Sequence, residues 1–297
     1  MFSRRHPYLF FILAMTAMIV GSTLLLRVGA VMTKSEPGGE RIGVVELYGV
    51  ITDSSQILED IRKFREDKDI RAIVLRVDSP GGGVGPSQEI FTAIRRARQE
   101  KPVIASFGSV AASGGYYAAA AADGIMANAG TVTGSIGVIM GYTNFRSLVE
   151  KIGLEPVVIK SGENKDMASP MKELSEEHRR ILQAFVDRLH RQFVRDVASG
   201  RNLEEGVVAA LADGRIYAGE EAMELGMVDR MGNFEDALVW AAEKAGIPDK
   251  GWQAVYPERE RSWLWDLING SAEALVSAVE RRVSLNAGFL WMPDAGR

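Results

Sequence analysis

PVIASFGSVAASGGYYAAAAA, residues 102–122, decides the reading of the fold. An apolar strand pattern over Pro102–Val110 gives way to an alanine-rich helix, and Ser113-Gly114-Gly115-Tyr116-Tyr117 stands at the junction. A serine there has its own and the next backbone N–H free at a helix N-terminus, where the helix dipole favours developing negative charge. That is a place for a nucleophile. The plainer alternative is a serine N-cap followed by glycines that allow close packing.

Outward from this junction the same alternation repeats. Ile42–Ile51 reads as a strand, Ser54–Glu66 as a helix with Ile57, Leu58, Ile61 and Phe64 on one face, and Ile70–Val77 as a buried strand. Ser87–Gln99 reads as a helix, Val103–Phe107 as a strand and Gly114–Ala122 as a helix. Asn144–Ile152 follows as a helix and Pro156–Ile159 as a strand. Repeated strand–helix–strand units predict an α/β domain with a mainly parallel sheet covered by helices. Over Leu174–Ala198, apolar residues four apart (Ile181, Phe185, Leu189, Phe193, Val197) predict a long amphipathic helix that Gly200 ends. Shorter helices are expected at Leu203–Leu211, Gly219–Glu224 and Phe234–Ala245.

Composition narrows the function. Of 297 residues, 46% are apolar, enough for a folded core. A formal charge of -4 leaves no general basic footprint, which argues against a nucleic-acid partner. The chain has no cysteine, so disulfides, thiolate catalysis and cysteine-ligated metal are excluded.

Tyr8–Leu26 is an uncharged, mainly apolar run of about the ~20 residues a spanning helix needs, preceded by Arg4 and Arg5. It is expected to be an N-terminal membrane anchor over residues 1–27, with a tether over 28–40 and the folded domain over 41–260. Arg4 and Arg5 favour an N-terminus inside the cytoplasm, which places the rest of the chain outside it as a single-pass protein of the plasma (inner) membrane. A cleaved signal peptide ending near Val28-Gly29-Ala30 is the alternative. Residues 261–297, opening with Trp263 and Trp265, are expected to form a C-terminal amphipathic helix and tail.

Two further stretches bear on Ser113. Asp78-Ser79-Pro80-Gly81-Gly82-Gly83-Val84-Gly85 falls between a strand and a helix, at the carboxyl edge of the sheet where ligands bind in open α/β folds. Its glycines let backbone N–H groups approach a ligand, as an oxyanion hole requires. A plain glycine turn is the alternative, and a phosphate loop is discounted because no lysine is present to reach a phosphate. The histidines are His6, beside the apolar run, and His178 and His190, both in a charged helical segment, so a Ser-His-Asp triad is not expected. A lysine is the remaining base. It can act near neutral pH only where burial lowers its pKa by about 3, at a cost of about 4 kcal/mol. The candidate region is Lys160-Ser161-Gly162-Glu163-Asn164-Lys165-Asp166; a solvated loop charge is the alternative for each lysine.

Taken together, D-S-P-G-G-G-V, A-S-G-G-Y-Y, T-G-S-I-G-V at Thr133–Val138 and K-S-G-x-x-K-D with a following S-P resemble the bacterial signal peptide peptidase A family in its short form, over about residues 41–232. The resemblance implies a crotonase/Clp-protease-like fold of repeated β-β-α units and a Ser/Lys dyad needing no metal or cofactor. It implies Ser113 as nucleophile, Lys165 as general base with Lys160 its competitor, and Ser135 as the residue orienting the lysine. Gly114 and Gly82, or Gly81 in place of Gly82, would supply the oxyanion hole. It further implies hydrophobic peptide substrates such as released signal peptides, and a homo-oligomeric ring whose sites are shared between subunits. Two other functions stay open on the residues alone: an acyl-coenzyme A enzyme of crotonase type, and a non-catalytic oligomeric membrane scaffold.

Overall fold

The computed structural model describes residues 40–248, residues 251–257, the backbone of 287–290 and six N-terminal positions (8, 15, 16, 18, 21 and 22). The chain divides into two compact units, residues 1–39 and 40–297. In the second, β1 (Glu40–Ile51), β2 (Ile70–Gly83), β3 (Val103–Ala112) and β4 (Gly124–Ala127) lie side by side and parallel. Their connections are α1 (Ser55–Glu66), α2 (Val84–Ala97) and α3 (Gly114–Ala119). This is the expected α/β domain with a mainly parallel sheet.

Alternation within each strand sends side chains to opposite faces, and both faces are covered. Val45, Leu47, Ile73, Leu75, Val77, Ala105 and Phe107 join one core cluster with residues of α1, α2 and α3. Ile42, Val44, Ala72, Val74 and Ile104 join a second cluster with Leu238 and Trp240 of another helix, Phe234–Lys244. That double burial explains why these strands read as continuous apolar runs.

Beyond Ala127 the elements are shorter. β5 (Val132–Gly134) pairs with the far end of β3, and β6 (Ile139–Met140) follows. Next come α4 (Arg146–Lys151), a 3-10 turn over Glu163–Asp166 and α5 (Glu176–Arg201). The chain then forms α6 (Glu205–Leu211), β7 (Ile216–Ala218), α7 (Gly219–Glu224), β8 (Arg230–Met231), α8 (Phe234–Lys244) and β9 (Trp252–Val255). β10 (Ala287–Leu290) closes the described chain, antiparallel to both the glycine end of β2 and β6.

Four expectations are corrected. No helix among the described residues is long and apolar enough to cross a membrane, so the single-pass inner-membrane placement is overturned. α5 has the length, at 26 residues, but Arg179, Asp187, Arg191 and Asp196 interrupt any apolar band; most of 8–26 lies outside the described residues. β2 does not stop at Val77: its glycines continue as strand, paired with Val50 and Ile51 of β1 on one side and with β10 on the other. Pro156–Ile159 forms no strand and lies exposed, because no neighbouring strand among the described residues pairs with it. Gly200 does not end α5. It lies inside the helix, where a Cβ would collide with the Ala120 carbonyl, and Asn202 in left-handed conformation (φ 53) terminates the helix. The expected amphipathic helix within 261–297 falls outside the described residues, as does most of that tail.

Candidate active site

The carboxyl ends of β2, β3 and β5 meet at Ser113. β3 delivers it: Ala112 pairs with Gly134 of β5, and one residue later the chain turns into α3. α3 is wholly buried, which its composition allows. Gly114 and Gly115 let it approach β2, while the two tyrosines anchor it. Tyr116 Oη donates to the Met227 carbonyl at 3.1 Å, and Tyr117 Oη donates to the Asp196 carboxylate of α5. Burial pushes both phenols well above their ordinary range, so they remain hydrogen-bond donors. The Tyr117 ring also packs between Phe91 of α2, at a centroid distance of 5.3 Å, and Phe193 of α5, at 4.7 Å.

At this turn Ser113 adopts φ 53, ψ -118, a backbone region disfavoured for any residue with a Cβ. Its N–H donates to the Gly134 carbonyl at 2.8 Å, and its carbonyl accepts the Tyr117 N–H at 2.8 Å. The residue is only 1% exposed, and among the described residues no hydrogen bond engages its hydroxyl.

Gly114 is placed against the glycine strand. A Cβ on Gly114 would stand 3.1 Å from the Gly82 amide nitrogen, 3.3 Å from Gly81 Cα and 2.5 Å from Ser87 Oγ, so only glycine fits. A Cβ on Gly82 would collide with the Ile51 carbonyl. Gly81 (φ 100) donates its N–H to Ser79 Oγ at 3.1 Å. Ser135 lies one residue past Gly134, as Ser113 lies one past Ala112, so the two serines are neighbours across paired strands. Ser135 is also buried and left-handed (φ 51), and its N–H donates to the Arg215 carbonyl at 2.8 Å.

Lys165 is elsewhere. It lies exposed in the 3-10 turn, and no hydrogen bond among the described residues joins it to Ser113 or Ser135. Lys160 is engaged differently: its Nζ donates to the Glu163 carbonyl at 2.7 Å and to Asp166 Oδ1 at 2.6 Å. Lys172 Nζ reaches the same carboxylate oxygen at 2.8 Å. Hydrogen bonds from the two ammonium groups lower the Asp166 pKa to about 2. The turn carrying Lys165 is therefore closed by a lysine–aspartate–lysine cluster. Among the described residues, no group of three or more histidine, aspartate or glutamate side chains has the arrangement to hold a metal ion. His190 is a helix-face residue, its Nε2 2.7 Å from the Ala212 carbonyl.

The structure thus brings together Ser113, Gly114, Gly81, Gly82 and Ser135, and leaves Lys165 apart within one chain. Sequence reasoning passed over Asp78 and Ser79, which hold the backbone around the glycines. Their polar type directly before a glycine run was the available signal.

The model of the family described as "Peptidase family S49" matches residues 95–248. A protease-named protein of Synechocystis sp. is 47% identical over 214 residues, covering 71% of this chain and 77% of that one. An Enterococcus faecium protein, named as a signal peptide peptidase SppA, is 41% identical over 219 residues, covering 68% of this chain and 64% of that one. A solved ClpP1 mutant from Listeria monocytogenes overlaps with a TM-score of 0.45 at 16% identity, covering 66% of this chain and 94% of that chain.

Proposed function

The chain belongs to peptidase family S49 and is a serine peptidase; from that premise we propose that Ser113 is its nucleophile and Lys165 of a neighbouring copy its general base. The observation that carries the proposal is the left-handed, buried Ser113 at a strand–helix turn beside the Gly82 and Gly114 amides. In the proposed reaction neutral Lys165 takes the hydroxyl proton as Ser113 Oγ bonds to the peptide carbonyl carbon. The carbonyl oxygen becomes an oxyanion facing the Gly82 and Gly114 N–H groups. Gly81 is the weaker candidate, since its N–H already donates to Ser79. The lysine then returns the proton to the leaving amine as the C–N bond breaks; water, deprotonated by the same lysine, bonds to the acyl carbon, and the Ser113 Oγ–C bond breaks as Oγ recovers the proton from the lysine. Ser135, beside Ser113, would orient the lysine amine.

A lysine base must be dry, yet Lys165 is exposed in the single chain. Its shelter would come from another subunit, which favours a homo-oligomer, for example a ring, with shared sites. Exposed Val157 and Ile159, a few residues before Lys165, supply apolar surface for such a contact. The substrate would be an extended hydrophobic peptide, such as a released signal peptide. β10 supports this reading, because it rests as an antiparallel strand on Gly81–Gly83 and on β6, as a bound peptide would.

Peptide hydrolysis by wild type, Ser113→Ala, Lys165→Ala and an equimolar mixture of the two variants tests the proposal. Cleavage by wild type, none by either variant, and partial recovery in the mixture is the expected pattern. Full activity in Lys165→Ala would remove the base assignment, and full activity in Ser113→Ala the nucleophile.

A further inference from the structure

Asp78 and Ser79 precede the glycine run, and no part of the reaction above uses them. Each sits where a β-ladder of β2 slips, on opposite edges of the strand. Toward β3, Val77 pairs with Phe107 and Ser79 with Ala111, so Gly108, Ser109 and Val110 stand against Asp78 alone. Toward β1, Asp78 pairs with Tyr48 and Gly81 with Val50, so Ser79 and Pro80 stand against Gly49 alone. Bulges leave backbone groups without ladder partners and bend the strand.

The two side chains close these gaps. Asp78 Oδ1 accepts the Val110 N–H at 3.1 Å. Ser79 Oγ donates to the Gly49 carbonyl at 2.6 Å and accepts the Gly81 N–H at 3.1 Å. Ser79 is 0% exposed, so without its hydroxyl both backbone groups would lose a partner water cannot readily replace. Three residues after the Asp78 contact β3 reaches Ser113. One residue after the Gly81 contact β2 reaches Gly82.

We infer that Asp78 and Ser79 are a pair of positioning residues, which set the separation between the Ser113 hydroxyl and the Gly82 amide by pinning the bulges on either side of β2. Asp78 fixes the approach of the strand that carries the nucleophile. Ser79 occupies the Gly81 N–H and thereby makes Gly82 the donor. The inference rests on the peptidase reading of Ser113, and it assigns the oxyanion donor by a side chain rather than by the glycines alone. Neither residue touches substrate; both act through backbone, where an error of about 1 Å can cost on the order of a hundredfold in rate.

The test uses the full chain, with kcat expressed per site titrated by a fluorophosphonate, so that misfolded protein does not count. Ser79→Ala is expected to lower kcat by roughly ten- to a hundredfold, toward the loss of one oxyanion donor, with KM within about twofold. It should also erase most of the preference for a peptide aldehyde, whose adduct carries the oxyanion, over the corresponding peptide alcohol. Asp78→Ala is expected to behave alike, and Asp78→Asn, which keeps the acceptor for Val110, to restore most of the loss. If Ser79→Ala fails to fold, the Asp78 pair decides by the same readouts. Unchanged kcat and aldehyde preference in the folded variants overturn the inference while leaving the peptidase intact. Wild type that neither cleaves nor labels removes the peptidase reading, and the inference with it.

Discussion

Ser113 holds a conformation that costs a residue with a Cβ on the order of 1–3 kcal/mol. The turn is over-determined by its surroundings: the Gly134 carbonyl takes its N–H, and α3 is anchored through two buried tyrosines. Ser113→Gly is therefore expected to be more stable than Ser113→Ala by about 1 kcal/mol, or roughly 2–4 °C in Tm, while both lose peptidase activity. Thermal unfolding of the two variants checks it; equal midpoints would mean the turn holds no strain. The serine itself was legible in the sequence, because an apolar run followed by S-G-G and alanines marks a strand–helix junction. Its positive φ was not, since the usual marker of that conformation is glycine. Lys165 enters as the proposed base through the resemblance, since its single-chain surroundings are those of any exposed loop lysine.

Among the elements, those with continuous apolar runs were readable, and β1, α1, β3 and α8 fall within a few residues of the expected bounds. The errors have a common cause, namely that a partner rather than the segment decides the state. Gly81–Gly83 became strand because β1 and β10 pair with it. Gly200 lies inside the helix at a point where the Ala120 carbonyl leaves no room for a Cβ, so its glycine marks close packing and not a helix end. Pro156–Ile159 has the composition of a strand and no described neighbour to complete one, leaving Val157 83% and Ile159 98% exposed. If this segment is an assembly contact, Val157→Glu combined with Ile159→Glu should shift the sedimenting mass to smaller species and leave the monomer's Tm within about a degree, since surface changes away from a core cost little. An unchanged mass would place the subunit contact elsewhere.

At the scale of the whole molecule, a mainly parallel sheet sandwiched between helices gathers the ends of β2, β3 and β5 at one point, and the fold class alone made that edge the place to look. β10 was beyond reach of the sequence, because four residues following a long tail carry no periodicity. Its position has a kinetic meaning. A segment tied to the same chain as its groove competes with arriving peptide at an effective concentration on the order of millimolar. A chain ending at Asn286 is expected to show a lower KM and the same kcat; an unchanged KM would mean that the tail does not contend for the groove in solution. With the tail in place, scarce peptides would find the cleft occupied and abundant ones would displace it, so the protease would keep turning over peptide in proportion to its concentration at levels where an open cleft would already be saturated.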